Sequence, residues 1–96
     1  MTNNERNALK MKYKRQFIAV KSAIDQWDPY DLLCHAPADE YDSETAMVLS
    51  RIINNIDIDS IAQVVSEVFM EMFGDEYTAD DCRYVAISIK NNLDQI

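Results

Sequence analysis

Asp59-Ser60-Ile61-Ala62-Gln63-Val64-Val65-Ser66-Glu67-Val68-Phe69-Met70-Glu71-Met72-Phe73-Gly74 is the stretch on which the reading of this chain turns. Ile61, Ala62, Val64, Val65, Val68, Phe69, Met72 and Phe73 recur at spacings of three and four and cover about half a helical circumference. That width predicts a central helix over 59–73, touched on several sides. Gly74, the only glycine, stands where a helix closes in the left-handed conformation.

The sequence on either side supplies helical partners. Thr78-Ala79-Asp80-Asp81 offers a cap and an acid three residues on, which predicts a helix over 78–94 with Cys82, Val85, Ala86, Ile89 and Leu93 buried. Ile56-Asp57-Ile58-Asp59 alternates like a strand but is short and has no partner strand, so it reads as a linker and an N-cap. Before it, a helix is predicted over 40–54, capped by Asp39 or Asp42, with Tyr41, Val48, Leu49, Ile52 and Ile56 inward and Asn54-Asn55 at its end. The first helix, over 4–26, carries the stripe Leu9, Tyr13, Phe17, Val20, Ile24 and Trp27. Lys10, Lys14 and Lys21 form a ridge beside it, and Met11 and Ile18 make a second, smaller stripe on the far side.

Trp27-Asp28-Pro29 ends that helix, because the residue before proline disfavours the α region. Asp28 then reads as the cap of a short helix over 29–34, followed by a loop at His35-Ala36-Pro37-Ala38. The predicted fold is all-α: one domain, residues 1–96, an irregular bundle of four to five helices. A chain of this length can bury roughly 60–70% of its unfolded surface, enough for one modest core.

Several classes of function find no support. There is no phosphate loop, glycine-rich turn or nucleophile elbow, so no catalytic residue is assigned. His35 has Asp31 and Asp39 nearby and Cys34 beside it, yet adjacent cysteine and histidine side chains rarely meet at one reacting atom, and His35 reads as a loop residue. Cys34 and Cys82 are read as free thiols packed as small apolar groups. One histidine and two distant cysteines do not make a structural zinc site, and Asp39, Glu40, Asp42 and Glu44 lack the glycine turn of a calcium loop. No metal and no cofactor is expected. No apolar run approaches the roughly 20 residues of a membrane span, and no secretory signal opens the chain, so the expected location is the cytoplasm.

Charge is the remaining signal. The net charge of −8 is unevenly placed: residues 1–24 carry +5 and residues 25–96 carry −13. An acidic surface repels nucleic acid and speeds encounter with basic proteins. The basic ridge of the first helix is expected to be neutralised by the acidic remainder or solvated. From Asp25 to Glu44 the chain has seven acidic residues and no basic one. Tyr30 and Tyr41 in this segment are either buried with a tethered hydroxyl or interface anchors. The candidate partner surface is therefore Tyr30, Asp31, Asp39, Glu40, Tyr41, Asp42 and Glu44, with Asp75, Glu76, Asp80 and Asp81 as a second patch.

Trp27-Asp28-Pro29-x-x-Leu32-Leu33, with Ala36-Pro37-x-Asp39-Glu40-Tyr41-Asp42-x-Glu44 after it, resembles a family of small bacterial helical proteins of unassigned function. Ile61-Ala62 and Phe69-x-x-x-Phe73-Gly74 resemble the same family's helix before its glycine cap. The long basic first helix departs from that pattern. Such chains look similar to cognate immunity proteins of polymorphic toxin and contact-dependent inhibition systems. The resemblance implies a cytoplasmic, non-enzymatic protein whose partner is a cognate protein toxin, often a basic nuclease; the helices themselves predict a monomer or weak homodimer, and charge and hydropathy predict no nucleic-acid or membrane partner. A regulatory or adaptor module that self-associates through Met11 and Ile18 of the first helix is the competing expectation.

Overall fold

Four helices form where apolar periodicity calls for them, in a computed structural model that describes residues 2–29, 40–52, 57–74 and 76–96. Helix α1 spans Asn3–Trp27, and the Thr2 hydroxyl caps it by accepting from the Glu5 amide at 3.2 Å. Asp28 closes α1 in the left-handed region, at φ 38° and ψ 64°, with its amide donating to the Ile24 carbonyl at 2.8 Å. Aspartate tolerates that conformation better than most side chains. The Asp28 carboxylate also accepts the Tyr41 hydroxyl at 2.6 Å, so this residue ties the end of α1 to the start of α2. Pro29 lies in a turn, and the remainder of the helix expected over 29–34 falls outside the described residues.

Helix α2 spans Asp42–Ile52 and α3 spans Ile58–Phe73. Asp57 caps α3, accepting both the amide and the hydroxyl of Ser60 at 2.8 Å. Gly74 ends it at φ 78°, its amide on the Met70 carbonyl at 2.8 Å, as the sequence predicts. Helix α4 spans Arg83–Asp94 and so begins five residues later than its expected start at residue 78. Thr78 and Asp81 do exchange reciprocal hydrogen bonds, at 3.1 and 3.0 Å. The Arg83 amide, however, takes the carbonyl three residues back, on Asp80, which tightens this turn and delays regular helix until Arg83.

Helix contacts run round a ring, α1 to α2 to α3 to α4 and back to α1, with α1 and α3 diagonal. The described residues thus form an all-α bundle of four helices without strands. Helix α3 packs between α2 and α4 and also meets the end of α1 through Trp27, which accounts for its broad apolar face. Met72, expected inside, is nearly half-exposed.

Aromatic rings tie the diagonal together. Trp27 meets Phe69 edge-on at 5.1 Å and Tyr77 at 5.7 Å, while Phe69 stacks on Phe73 at 5.6 Å and lies 6.1 Å from Tyr41. Ser66 donates its hydroxyl to the Tyr77 carbonyl, holding the α3–α4 connection against α3.

Helix lengths do not match, and this shapes the molecule. At about 1.5 Å per residue, the 25 residues of α1 reach about 37 Å, against about 16 Å for the 11 residues of α2 and about 18 Å for the 12 of α4. The buried residues of α1 are Ala19, Val20, Ala23 and Ile24, and everything from Thr2 to Arg15 is exposed. Leu9 and Tyr13, expected in the core, are half-exposed because α1 outruns its partners. The first four turns form an arm that leaves the bundle near the C-terminal end of α4, where the Asn92 side-chain amide donates to the Ala19 carbonyl at 3.0 Å.

Candidate partner-binding surface

The acidic segment is divided by the way α2 packs. Tyr41 points inward just before the helix and is completely buried, its hydroxyl fixed by Asp28. Glu44, one turn on, is 5% exposed, and one of its carboxylate oxygens has no hydrogen-bond partner among the described residues. Neither residue is available to a partner, which corrects their assignment as contact residues. The cause is periodicity: Tyr41, Glu44, Thr45 and Val48 occupy one face of α2, and that face is buried.

Asp42 is half-exposed and already engaged. Lys21 bridges α1 to α2, 2.6 Å from Asp42 and 3.1 Å from Asp25. Burial pulls the Lys21 ammonium down, but the hydrogen bonds and charges of Asp42 and Asp25 outweigh it, so its pKa stands above the ordinary lysine value. Glu40 is exposed. Tyr30, Asp31 and Asp39 lie outside the described residues.

The second patch keeps its exposure. Glu76, Asp80 and Asp81 are all at the surface, while Asp75 falls outside the described residues. Asp81 spends one carboxylate oxygen on the Thr78 amide, and Asp80 lies in the turn beside it. Immediately after them, at the start of α4, Tyr84 is 76% exposed, the most exposed of the large apolar side chains among the described residues. Ile87, three residues on, extends the same outward face. Arg83 reaches across to Asp59 at 2.8 Å and brings the first turn of α3 alongside. The result is an exposed aromatic and an aliphatic side chain on a helix that the exposed acids Asp80 and Asp81 immediately precede, where the N-terminal dipole favours acids.

Tyr84 was not among the residues singled out by charge. It sits off the buried stripe of Cys82, Val85, Ala86, Ile89 and Leu93, so helical spacing alone turns it outward. An exposed tyrosine on the outer face of an acid-headed helix is the signal that reading for charge passes over.

The chain supplies little to offset the acids. Arg51, Arg83 and Lys90 are its only cations after residue 24, and they pair with Glu71 at 2.8 Å, Asp59 at 2.8 Å and Asp94 at 3.2 Å. Among the described residues, Glu40, Glu76 and Asp80 are exposed and form no ion pair. The basic residues of the arm do not turn back to meet them: among the described residues, the lysine of α1 that forms ion pairs is Lys21, and Arg6, Lys10, Lys12, Lys14 and Arg15 form none.

Cys82 is buried behind this face. Burial, with the charge of Asp81 adding to it, raises its pKa to about 11, so the thiol stays protonated and inert near neutral pH. Among the described residues no three histidine, cysteine or acidic side chains converge as metal ligands do, and no helix is long and apolar enough to cross a membrane.

These features define a small acidic helical bundle with an exposed tyrosine just after a pair of surface acids. Residues 19–92 match the family described as a domain of unknown function, DUF1871, and the chain belongs to that family. No match was found among curated proteins or among solved structures. The match begins where α1 enters the bundle, so the basic arm precedes the matched residues.

Proposed function

We propose that this protein is a non-enzymatic immunity protein that neutralises a cognate toxin domain by covering its basic, phosphate-binding surface. The observation that carries the reading is the Tyr84 face: an exposed tyrosine with Ile87 one turn on, just after the exposed acids Asp80 and Asp81, on a bundle whose few cations are already paired. A buried aromatic anchor within a polar rim is how tight protein interfaces concentrate their energy. Carboxylates around it would meet the lysines and arginines that a nuclease uses for phosphate, and would steer the encounter. Glu40 and Glu76 extend the same charge. The acidic surface acts inside the cytoplasm, by steric and electrostatic occlusion, without metal or cofactor.

The test is binding and protection against the product of the toxin gene adjoining this protein's own gene. Tyr84→Ala is expected to weaken the complex by about 2 kcal/mol or more, mainly through faster dissociation. Paired Asp80→Lys and Glu76→Lys should slow association, and the wild-type association rate should fall steeply as salt screens charges beyond about 10 Å at 0.1 M. Glu40→Lys reports on the other segment without disturbing the fold, whereas reversing Glu44 would bury a cation in the core. Wild-type affinity in the Tyr84 and Asp80/Glu76 variants would exclude this face, and failure of the unaltered protein to bind or protect would exclude the immunity reading.

A further inference from the structure

The arm of α1 carries a second surface that points to a partner. Leu9, Tyr13 and Phe17 continue the stripe by which Val20 and Ile24 enter the core, so the arm's apolar line is an extension of an existing interface beyond the end of the bundle. Arg6, Lys10, Lys12, Lys14 and Arg15 surround it against a single acid, Glu5. No glycine or proline interrupts residues 3–27, and as one continuous helix the arm projects away from its own acidic bundle.

We infer that the arm docks on the acidic α4 face of a second copy of this chain, and that two copies exchange arms in a closed, two-fold dimer. Charge selects the partner: the arm is cationic, and the bundle carries the −13 of residues 25–96. The same face presents Tyr84 and Ile87 as apolar counterparts for Leu9 and Tyr13. Direct pairing of two arms is disfavoured because it sets their lysines side by side. A helix lying in a membrane needs one broad apolar face, but Met11 and Ile18 stand on the side opposite Leu9 and Tyr13. Recognition of a nucleic acid gathers its cations on one side, whereas Lys10, Lys12, Lys14 and Arg15 are spread around the helix. A reciprocal exchange satisfies both copies and leaves no open end from which a filament would grow. An arm seated on Tyr84 and Ile87 would compete with any other partner of that face, but sedimentation of the chain alone tests self-association without reference to a toxin.

Sedimentation equilibrium of the full chain at low and high salt is the test. The expected result is a monomer–dimer equilibrium whose dissociation constant rises roughly tenfold or more at high salt, as screening shortens the reach of the charges. Leu9→Asp with Tyr13→Asp, both outside the core, should leave a monomer with a folded bundle by near-ultraviolet circular dichroism. Lys10→Glu with Lys14→Glu should do the same, and Tyr84→Asp should weaken the dimer from the receiving side. A monomer at every concentration and salt, or a dimer indifferent to the arm substitutions, would overturn the inference. Arm-dependent binding to vesicles of anionic lipid or to a DNA duplex, with no self-association, would likewise overturn it and assign the arm to that partner.

Discussion

Tyr41 and Tyr84 show how much the fate of one residue depends on where its helix turns it. Both are tyrosines in acidic surroundings, yet the first is fully buried and the second largely exposed. The Tyr41 hydroxyl donates to the Asp28 carboxylate at 2.6 Å, and that aspartate holds the left-handed end of α1. Removing the hydroxyl leaves the carboxylate short of a donor while the ring still fills its site. Tyr41→Phe is therefore expected to cost about 1–2 kcal/mol in urea unfolding. Tyr84→Phe should stay within about 0.5 kcal/mol, as surface changes do. Equal costs would mean that the hydrogen bond does not contribute to the fold.

Among the elements, helix ends divide into those the sequence announces and those it does not. Gly74 is legible because a glycine after an apolar run has one common use there. The Thr78–Asp81 exchange is also legible, but the sequence carries no sign that the turn it closes is too tight to continue as α4. Asp57 gives a measurable consequence. The Ser60 amide, and then its hydroxyl, hold the Asp57 carboxyl below the ordinary value of 3.8. A group depressed in the folded state contributes stability above its unfolded pKa and loses it as pH falls through the lower, folded one. Asp57→Ala should thus be less stable than wild type at neutral pH, with the gap narrowing as the solution is acidified below the ordinary aspartate range. Thermal unfolding of both proteins across that range checks this, and a gap independent of pH would remove the cap's ionic contribution. The N-terminal half of α1 departs from its apolar pattern for a different reason. Periodicity tells which side of a helix is apolar, not whether a partner reaches that far, and only the comparison of helix lengths shows that α2 and α4 stop short.

For the whole molecule, the legible part was the class of fold and the separation of charge; the position of the contact surface was not, because burial selects among acids that look alike in sequence. Glu44 and Glu40 differ by one helical turn and end on opposite sides of the surface. The arm has one further consequence. A free helix of fewer than about 12–15 residues is marginal in water, and the arm has no tertiary packing to add to its own propensity. Amide hydrogen exchange should therefore split α1 in two: residues 3–16 exchanging at rates near those of an unstructured peptide, and Val20 to Ile24 protected nearly as long as the bundle stays folded. Uniform protection along α1 in dilute solution would contradict this. In a dimer of exchanged arms the slow front should move toward the N-terminus as protein concentration rises, so that a single uninterrupted helix serves as a gauge, residue by residue, of how much of it is held.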